Sequence, residues 1–198
     1  MIKIGLDLDN TIIDYKFALQ KLLENELSIS FPLKKIKKEV VKSIVIGKQG
    51  EKKWTEMQGL LYSEYLQFAK PFPFAIEAIE YLKNREYELY IISHKTKFPI
   101  IGARVDLIEQ SRIWINNNLK SDGSQQLFGE NQVYFKQTIL EKKEEILKQK
   151  IKIFVDDLKE VLELLPPSIK KIWFAQNSVH GEYTIAKDWK EVLKIICK

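Results

Sequence analysis

The sequence predicts an α/β protein built on a parallel sheet, with a helical insertion near its N-terminal end. From residue 75 onward, short apolar runs alternate with longer segments of helical periodicity. A block of helical segments without any strand pattern separates the first apolar run from these. Continuous apolar runs joined by helices are typical of a parallel sheet that is covered by helices on both faces.

The first element is a run of alternating apolar residues over 2–8, which is typical of a β-strand. The run ends at Asp7 and Asp9, and Asn10 and Thr11 follow directly. On a continuing strand the two carboxylates would point to the same face and repel each other. Because Asp and Asn are also common turn residues, this stretch alone is equally compatible with a solvent-exposed turn.

Residues 14–74 are predicted to form a small helical domain inserted after the first strand. Apolar residues recur at helical spacing in three segments, at residues 15–27, 34–46 and 52–69. Pro71 and Pro73 end this block. The α/β core is therefore expected to consist of residues 1–13 and 75–198.

The core predicted beyond residue 75 alternates helices and strands in the manner of a Rossmann-like fold. Further strands are predicted at residues 88–93, 132–135, 152–155 and 171–175. Helices are predicted at residues 75–84, 105–118, 138–148, 158–165 and 187–196. In such sheets, ligands bind beyond the carboxyl ends of the strands. Because Ser93 ends one strand and Asp156 and Asp157 follow another, we expect these side chains at one edge with Asp7 and Asp9.

Composition limits the class of protein. With 198 residues, of which 45% are hydrophobic and 30% charged, the chain can form one good core and a small additional lobe. Cys197 is its only cysteine, which excludes an intramolecular disulfide and a metal site based on paired cysteines. The sequence has neither a signal-peptide pattern nor a stretch near the roughly 20 apolar residues of a membrane helix. We therefore expect a cytoplasmic protein without a membrane partner.

Positive charge is concentrated in one part of the sequence. Between residues 31 and 60 there are eight lysines and three glutamates, which equals the net charge of +5 of the whole chain. Such a cluster attracts anions, whether phosphorylated metabolites or nucleic acid. For any single lysine, the solvated face of a helix is the ordinary interpretation.

A lysine is also expected among the acids at the edge of the sheet. The helix predicted before Asp156 carries several lysines, and its buried face is predicted from four apolar residues, Ile139, Leu140, Ile146 and Leu147. On this register Lys143 lies near the centre of the buried face and Lys142 to one side. A lysine in an apolar face is costly unless it reaches an anion. We therefore predict Lys143 as the site lysine, with Lys142 and Lys136 as alternatives.

In their order, these motifs resemble the four motifs of the haloacid dehalogenase superfamily. They are Asp7-x-Asp9-x-Thr11, an apolar strand ending in Ser93, a lysine, and Asp156-Asp157. The resemblance extends over almost the whole chain. The helical block at 14–74 lies where that superfamily inserts its first type of cap domain, so the resemblance implies that this block is a cap.

The resemblance implies a role for each acid. Asp7 would be the nucleophile that attacks phosphorus to form an aspartyl phosphate, and Asp9 the general acid and base. Mg²⁺ would be bound by the Asp7 carboxylate, the Asp9 backbone carbonyl and Asp156. Asp157 would be a further ligand or would orient one through water.

The resemblance also implies which residues hold the phosphoryl group and which reaction takes place. Thr11, Ser93 and Lys143 would bind phosphoryl oxygens and offset their charge. Because a leaving halide needs no proton, the acid at Asp9 favours phosphoryl transfer over halide displacement. The function implied is a Mg²⁺-dependent phosphatase that acts on a small phosphorylated metabolite, a sugar phosphate or a nucleotide.

Other functions remain open at this point. A phosphomutase differs mainly in what accepts the phosphoryl group, and a phosphatase acting on nucleic-acid ends would also use the lysine cluster. A nucleic-acid-binding or protein-binding module without catalysis would use the lysines and their aromatic neighbours. Binding alone, however, gives no reason for four acidic and polar motifs at one edge. The oligomeric state is open as well.

Residues that contact the substrate are harder to predict. Trp54 and Gln58 share one face of a predicted helix and are candidates to contact a phosphorylated small molecule, although Trp54 is at least as well suited to packing. His94 and Lys95, directly after the second motif, are further candidates for substrate contacts. His180 has no motif around it and is expected at the surface.

Overall fold

The structure is a computed structural model that describes residues 1–85, 87–176 and 183–198. His180, expected at the surface, lies outside the described residues. The chain divides into two compact units. The sheet unit comprises Met1–Ile13, Pro71–Lys95 and Leu119–Lys198, and the helical unit comprises Asp14–Lys70 and Thr96–Asn118.

The bounds of the regular elements agree with the alternating pattern of the sequence. The strands β1 to β8 span Ile2–Leu6, Ile13–Asp14, Lys70–Pro71, Tyr87–His94, Val133–Lys136, Ile153–Asp156, Lys170–Phe174 and Thr184–Ala186. The helices α1 to α7 span Lys16–Leu27, Lys38–Leu61, Ala75–Lys83, Leu107–Asn118, Ile139–Lys148, Lys159–Leu164 and Trp189–Ile196. Short 3₁₀ helices lie at Leu33–Lys35, Glu64–Phe68 and Glu130–Gln132.

The sheet unit is built on six strands in the order β5-β4-β1-β6-β7-β8, and each neighbouring pair is parallel. On one face, residues of β4 and β6 such as Ile92 and Phe154 form an apolar cluster with residues of α5 and α6 such as Ile146 and Leu162. The helix α3 packs against β4 and α7. The predicted fold class, a parallel α/β sheet covered by helices, is confirmed.

In the helical unit, α2 consists of two helical segments that meet at a kink at Gly50, between the segments predicted at 34–46 and 52–69. The helix α2 runs through Gly47, and only Gly50 departs from helical geometry, with φ 82° and ψ 173°. A positive φ is accessible to glycine without steric cost, so a single residue makes the kink. The helix predicted over 52–69 also ends earlier, at Leu61, and a 3₁₀ helix at Glu64–Phe68 follows.

Residues 96–118 belong to the helical unit, although the predicted core includes them. Two contacts within the unit account for this grouping. The indole Nε1 of Trp114, on α4, donates a hydrogen bond of 3.1 Å to the carbonyl oxygen of Ala69. Gly59, on α2, approaches Pro99 and the carbonyl oxygen of Ile101 so closely that a Cβ there would lie 2.9 Å from each. A role of residues 14–74 as a cap stays a prediction.

Within the described residues, no helix has both the length and the apolar character needed to cross a membrane.

Replacing Gly5 by Ala should destabilise the fold. A Cβ at Gly5, in the central strand, would lie 2.5 Å from Cδ2 of Phe154, which is fully buried. Such overpacking typically costs about 1–3 kcal/mol. Gly47→Ala is the matched control, because a Cβ there meets nothing within 4 Å and alanine favours a helix by about 0.5–1 kcal/mol. Urea unfolding measures both, and equal midpoints for the two variants would contradict the packing argument.

Candidate active site

The carboxyl ends of three adjacent strands bring polar side chains together. The strand β1 pairs in parallel with β4 and β6, with Leu6 opposite Ile91 on one side and Val155 on the other. Asp7 extends this pairing by one step, since its backbone N–H donates to the carbonyl of Val155 at 2.9 Å. Asp7, Ser93 and Asp156 are all buried there. The structure thus brings these three predicted site residues to one edge of the sheet.

The two carboxylate oxygens of Asp7 have different surroundings. Its Oδ1 accepts hydrogen bonds from the Ser93 hydroxyl at 3.0 Å and from the Lys142 ammonium at 2.6 Å. Its Oδ2 receives no hydrogen bond from the described residues. One oxygen therefore fixes the orientation of the carboxylate, and the other remains available for a ligand.

Lys142 connects the ends of β1 and β6. Its ammonium lies 2.6 Å from Asp7 Oδ1 and 2.6 Å from Asp156 Oδ2, and its side chain is only 1% exposed. The ammonium also lies 5.4 Å from the ring centroid of Phe154. A buried ammonium is stable only beside anions, and these two carboxylates supply them.

The prediction that Lys143 is the site lysine is wrong in its helix register. The buried residues of α5 are Lys142, Glu145 and Ile146, whereas Leu140 and Leu147, which were expected to be buried, are 58% and 43% exposed. Lys143 is one position further, about 100° around the helix, and is partly exposed. The alternative Lys142 is the lysine that contacts the acids.

A buried acid explains why the apolar pattern of α5 was misleading. Glu145 lies on the buried face because Lys136 forms an ion pair with it at 2.6 Å and Gln149 donates a hydrogen bond at 2.6 Å. These contacts hold the pKa of Glu145 below its ordinary value, although burial alone would raise it. Lys136, the other alternative for the site lysine, is therefore engaged by Glu145.

Asp156 and Asp157 follow one another, but their surroundings differ. Asp156 is fully buried, and its Oδ1 accepts a hydrogen bond of 2.9 Å from the backbone N–H of Leu158. Asp157 is partly exposed, and its backbone carbonyl accepts a hydrogen bond of 2.9 Å from Nε1 of Trp173. Both acids are thus held by contacts with the chain that follows β6.

The acids of this edge can hold a divalent metal ion. One carboxylate oxygen each from Asp7, Asp156 and Asp157 lies within 4.8 Å of the others. Oxygen ligands from carboxylates suit Mg²⁺. Lys142 supplies one positive charge against the two carboxylates of Asp7 and Asp156, so this pair can accommodate further positive charge. The residues present therefore fit the predicted ion. The side chain of Asp9 is not part of this cluster, and the use of its backbone carbonyl as a ligand stays a prediction.

Burial shapes the charge states of the central pair. Burial, together with the carboxylates of Asp156 and Asp9, raises the pKa of Asp7 to about 7, despite the opposing effect of the Lys142 ammonium. Burial alone would lower the pKa of Lys142, but the carboxylates of Asp156 and Asp7 outweigh it and raise the pKa above its ordinary value. Lys142 is therefore charged, whereas ionisation of Asp7 is disfavoured by burial and by the neighbouring carboxylates.

Asp9 forms an ion pair with Lys95. The Lys95 ammonium lies 3.0 Å from Oδ1 and 2.9 Å from Oδ2 of Asp9. The sequence indicated Lys95 only as a possible substrate contact. An available signal was the period of two, because Ser93 and Lys95 are two apart like Asp7 and Asp9 and so share a side of the chain. The intervening His94 instead lies with its Nε2 2.8 Å from the Gln137 carbonyl.

Thr11 is fully buried in the turn after β1. Its backbone carbonyl accepts a hydrogen bond of 2.8 Å from Nε1 of Trp189, in α7. No described residue forms a hydrogen bond with its buried Oγ1. Asn10, one residue earlier, has a φ of 58°, a conformation that Asn tolerates better than most residues. A phosphate contact by Thr11 stays a prediction.

Trp54 and Gln58 line a pocket of about 370 Å³ in the helical unit. Its other lining residues are Lys38, Lys42, Ile46, Glu51 and Thr55. Trp54 is buried, so much of its ring packs within the unit, whereas Gln58 is partly exposed. Contacts of these two residues with a substrate stay predictions.

Solved structures resemble the chain over its whole length. A haloacid dehalogenase-like hydrolase from Streptococcus pneumoniae is 17% identical, covers 99% of this chain and 98% of its own, and has a TM-score of 0.60. YfnB from Bacillus subtilis, solved bound to magnesium, is 14% identical, covers 98% of both chains and has a TM-score of 0.58. The chain therefore has the fold of the haloacid dehalogenase superfamily, and the predicted resemblance is confirmed at the level of the fold.

Sequence comparison also finds a relative over almost the whole length of the chain. A protein from Bacillus cereus named "Putative nucleotidase" is 24% identical to this chain, covering 99% of it and 98% of its own length. No protein-family model matches the chain.

The buried carboxyl of Asp7 should make stability depend on pH in the absence of metal. Its pKa lies near 7 in the folded chain and near 3.8 otherwise, so the unfolded chain ionises first as the pH rises. The free energy of unfolding should therefore fall between about pH 4 and pH 7. Asp7→Asn removes this loss. In excess EDTA, the melting temperature of the variant minus that of the natural chain should therefore increase as the pH is raised from about 4 to 7.

The control for this experiment is Asp122→Asn, which changes an exposed acid. Its melting temperature should keep a constant difference from that of the natural chain at all pH values. Excess Mg²⁺ should raise the melting temperature of the natural chain but not that of Asp7→Asn. A pH-independent difference for Asp7→Asn would contradict the burial argument.

Proposed function

We propose that this protein is a Mg²⁺-dependent phosphatase that hydrolyses a small phosphorylated metabolite through an aspartyl-phosphate intermediate. The observation that carries the proposal is the Asp7 carboxylate, held through Oδ1 by Ser93 and Lys142 with Oδ2 turned to no donor of the described residues. The fold, with the order of the motifs, supports a phosphoric monoester hydrolase.

In the first step, Oδ2 of Asp7 attacks phosphorus and the bond from phosphorus to the leaving oxygen breaks. Asp9 donates a proton to the leaving oxygen, which departs as an alcohol. The contacts of Asp7 with Lys142 and of Asp9 with Lys95 keep the two carboxyl groups in place for these tasks. The product of this step is a phosphorylated Asp7.

In the second step, water attacks phosphorus and Asp9 takes up its proton. The bond from phosphorus to Oδ2 of Asp7 breaks, which releases inorganic phosphate and restores the carboxylate. Ser93 and Lys142 supply a hydroxyl and an ammonium beside the attacking carboxylate, where they can offset the charge of phosphoryl oxygens. Splitting one displacement into two steps lowers the barrier of each.

Magnesium would be held by Asp7, Asp156 and Asp157, with the backbone carbonyl of Asp9 as the further ligand that the resemblance implies. When bound, the ion offsets negative charge on the phosphoryl group. The oxygen-only donor set, and the excess of negative charge where Asp7 and Asp156 share the Lys142 ammonium, support this ion.

A nucleotide is our first choice of substrate. The Bacillus cereus relative bears the name of a nucleotidase and matches this chain from end to end. A sugar phosphate is the second choice. The substrate is expected to be a small molecule, with nucleic acid less favoured, and a cytoplasmic location stays a prediction.

Phosphate release should be measured for a panel of nucleoside monophosphates, sugar phosphates, 5′-phosphorylated oligonucleotides and p-nitrophenyl phosphate, with Mg²⁺ and with EDTA. We expect Mg²⁺-dependent release from small substrates, which Asp7→Asn abolishes. Release from oligonucleotides alone would favour action on nucleic-acid ends, and transfer to a second sugar position without free phosphate would favour a mutase. No release from any compound would contradict the proposal.

Lys142 and Lys143 form a matched pair for testing the site lysine. Lys142→Met removes the ammonium beside Asp7, and losing one such group typically costs about 10²–10³ in kcat. Lys143→Met should keep kcat within about twofold, because Lys143 lies on another side of α5. Lys142→Arg keeps the charge, and thermal unfolding should verify that all three variants fold. Equal kcat losses for the two methionine variants would contradict the assignment.

A further inference from the structure

We propose that Lys95 is a positioning residue that holds the Asp9 carboxyl group where it can exchange a proton with the leaving oxygen and then with the attacking water. This inference rests on the proposed function. It goes beyond a contact of Lys95 with the substrate, because the group that Lys95 engages in this structure is the carboxylate of the general acid itself.

The geometry of the ion pair favours one orientation of Asp9. The Lys95 ammonium is nearly equidistant from the two carboxylate oxygens, at 3.0 and 2.9 Å. Rotation of the carboxylate about its bond to Cβ would lengthen at least one of these contacts. Asp9 follows the end of β1, in the turn where Asn10 adopts a positive φ, so its side chain lies outside the regular strand. Lys95 therefore adds a restraint that the strand does not provide.

Lys95 is itself held in place by its surroundings. Its side chain is 3% exposed, whereas that of Asp9 is 16% exposed. Its backbone N–H donates a hydrogen bond of 2.7 Å to the carbonyl of Lys136, which continues the pairing of β4 with β5. A buried lysine with a fixed backbone has few alternative positions. The more exposed partner, Asp9, is therefore the one that is oriented.

The end of β4 contributes one contact to each of the two acids. Ser93 donates to Asp7 and Lys95 pairs with Asp9, so two residues of β4 and its extension hold two residues of β1 and its extension. In both pairs, the residue from the end of β4 contacts the acid that follows β1. The end of β4 therefore positions both the nucleophile and the general acid.

A positioning role predicts a kinetic signature that a phosphate contact does not. Loss of a phosphate contact weakens binding or transition-state stabilisation for every phosphate ester. Misplacement of the general acid slows the step in which the leaving oxygen needs a proton. An alkoxide needs this proton far more than p-nitrophenolate does, so the loss should depend on the leaving group.

The experiment compares Lys95→Met and Lys95→Arg with the natural chain, using p-nitrophenyl phosphate and glycerol 2-phosphate. For Lys95→Met, kcat with glycerol 2-phosphate should fall on the order of 10²-fold, the effect of a misplaced catalytic group. With p-nitrophenyl phosphate kcat should fall only a few-fold, and KM should change little for either ester. Lys95→Arg should recover most of the loss.

Two variants calibrate these rates. Asp9→Asn should show the same dependence on the leaving group, to a larger extent. Lys97→Met, which removes an exposed lysine two residues further on, should leave both rates unchanged. A rise in KM with the same loss on both esters would assign Lys95 to phosphate binding and overturn the proposal. Equal losses in kcat together with a lower melting temperature would indicate a structural role and also overturn it.

A structural readout is independent of turnover. Crystal structures of the natural chain and of Lys95→Arg should show the Asp9 carboxylate in the same position. In a crystal structure of Lys95→Met, this carboxylate should be displaced. An unchanged Asp9 carboxylate in Lys95→Met would overturn the positioning role, whatever the activity. An inactive natural chain with a displaced Asp9 in Lys95→Met would refute the proposed function but leave the inference about Lys95 intact.

Discussion

The buried ammonium of Lys142 is the interaction on which the arrangement of the candidate site depends. It lies 2.6 Å from a carboxylate of β1's extension and 2.6 Å from one at the end of β6, so it joins two strands and the helix α5. Without it, Asp7 and Asp156 would place two negative charges side by side in a buried region, and without them the ammonium would be unpaired. Removal of either partner from such a group is strongly destabilising, which makes the three side chains dependent on one another.

The pair of acids and the single ammonium leave an excess of negative charge, and this excess connects structure with function. The carboxylate of Asp157 lies within reach of this pair. Burial and this excess of negative charge both raise the pKa of Asp7. Groups that are costly in the free protein but favourable with a ligand are typical of functional sites. A divalent cation would offset this excess of negative charge.

Parts of the chain that are distant in sequence hold the turn after β1. The indole of Trp189, from the last helix, donates to the carbonyl of Thr11, and Lys95 binds Asp9 from the end of β4. The turn therefore takes its shape from the last helix, from the end of β4 and from Asn10, whose positive φ redirects the backbone. Such restraint suits a site in which a nucleophile and an acid must keep a fixed relation.

The sequence by itself determined the fold class, because apolar periodicity is a local property and parallel strands bring their carboxyl ends to one edge by topology. It also determined that Asp7, Ser93 and Asp156 meet there. Only the tertiary structure decided the register of α5, because Glu145 is buried through partners in other turns and strands, which shifts the inner face to Lys142. It likewise decided the grouping of residues 96–118 and the pairing of Lys95 with Asp9, since both depend on contacts between segments far apart in sequence.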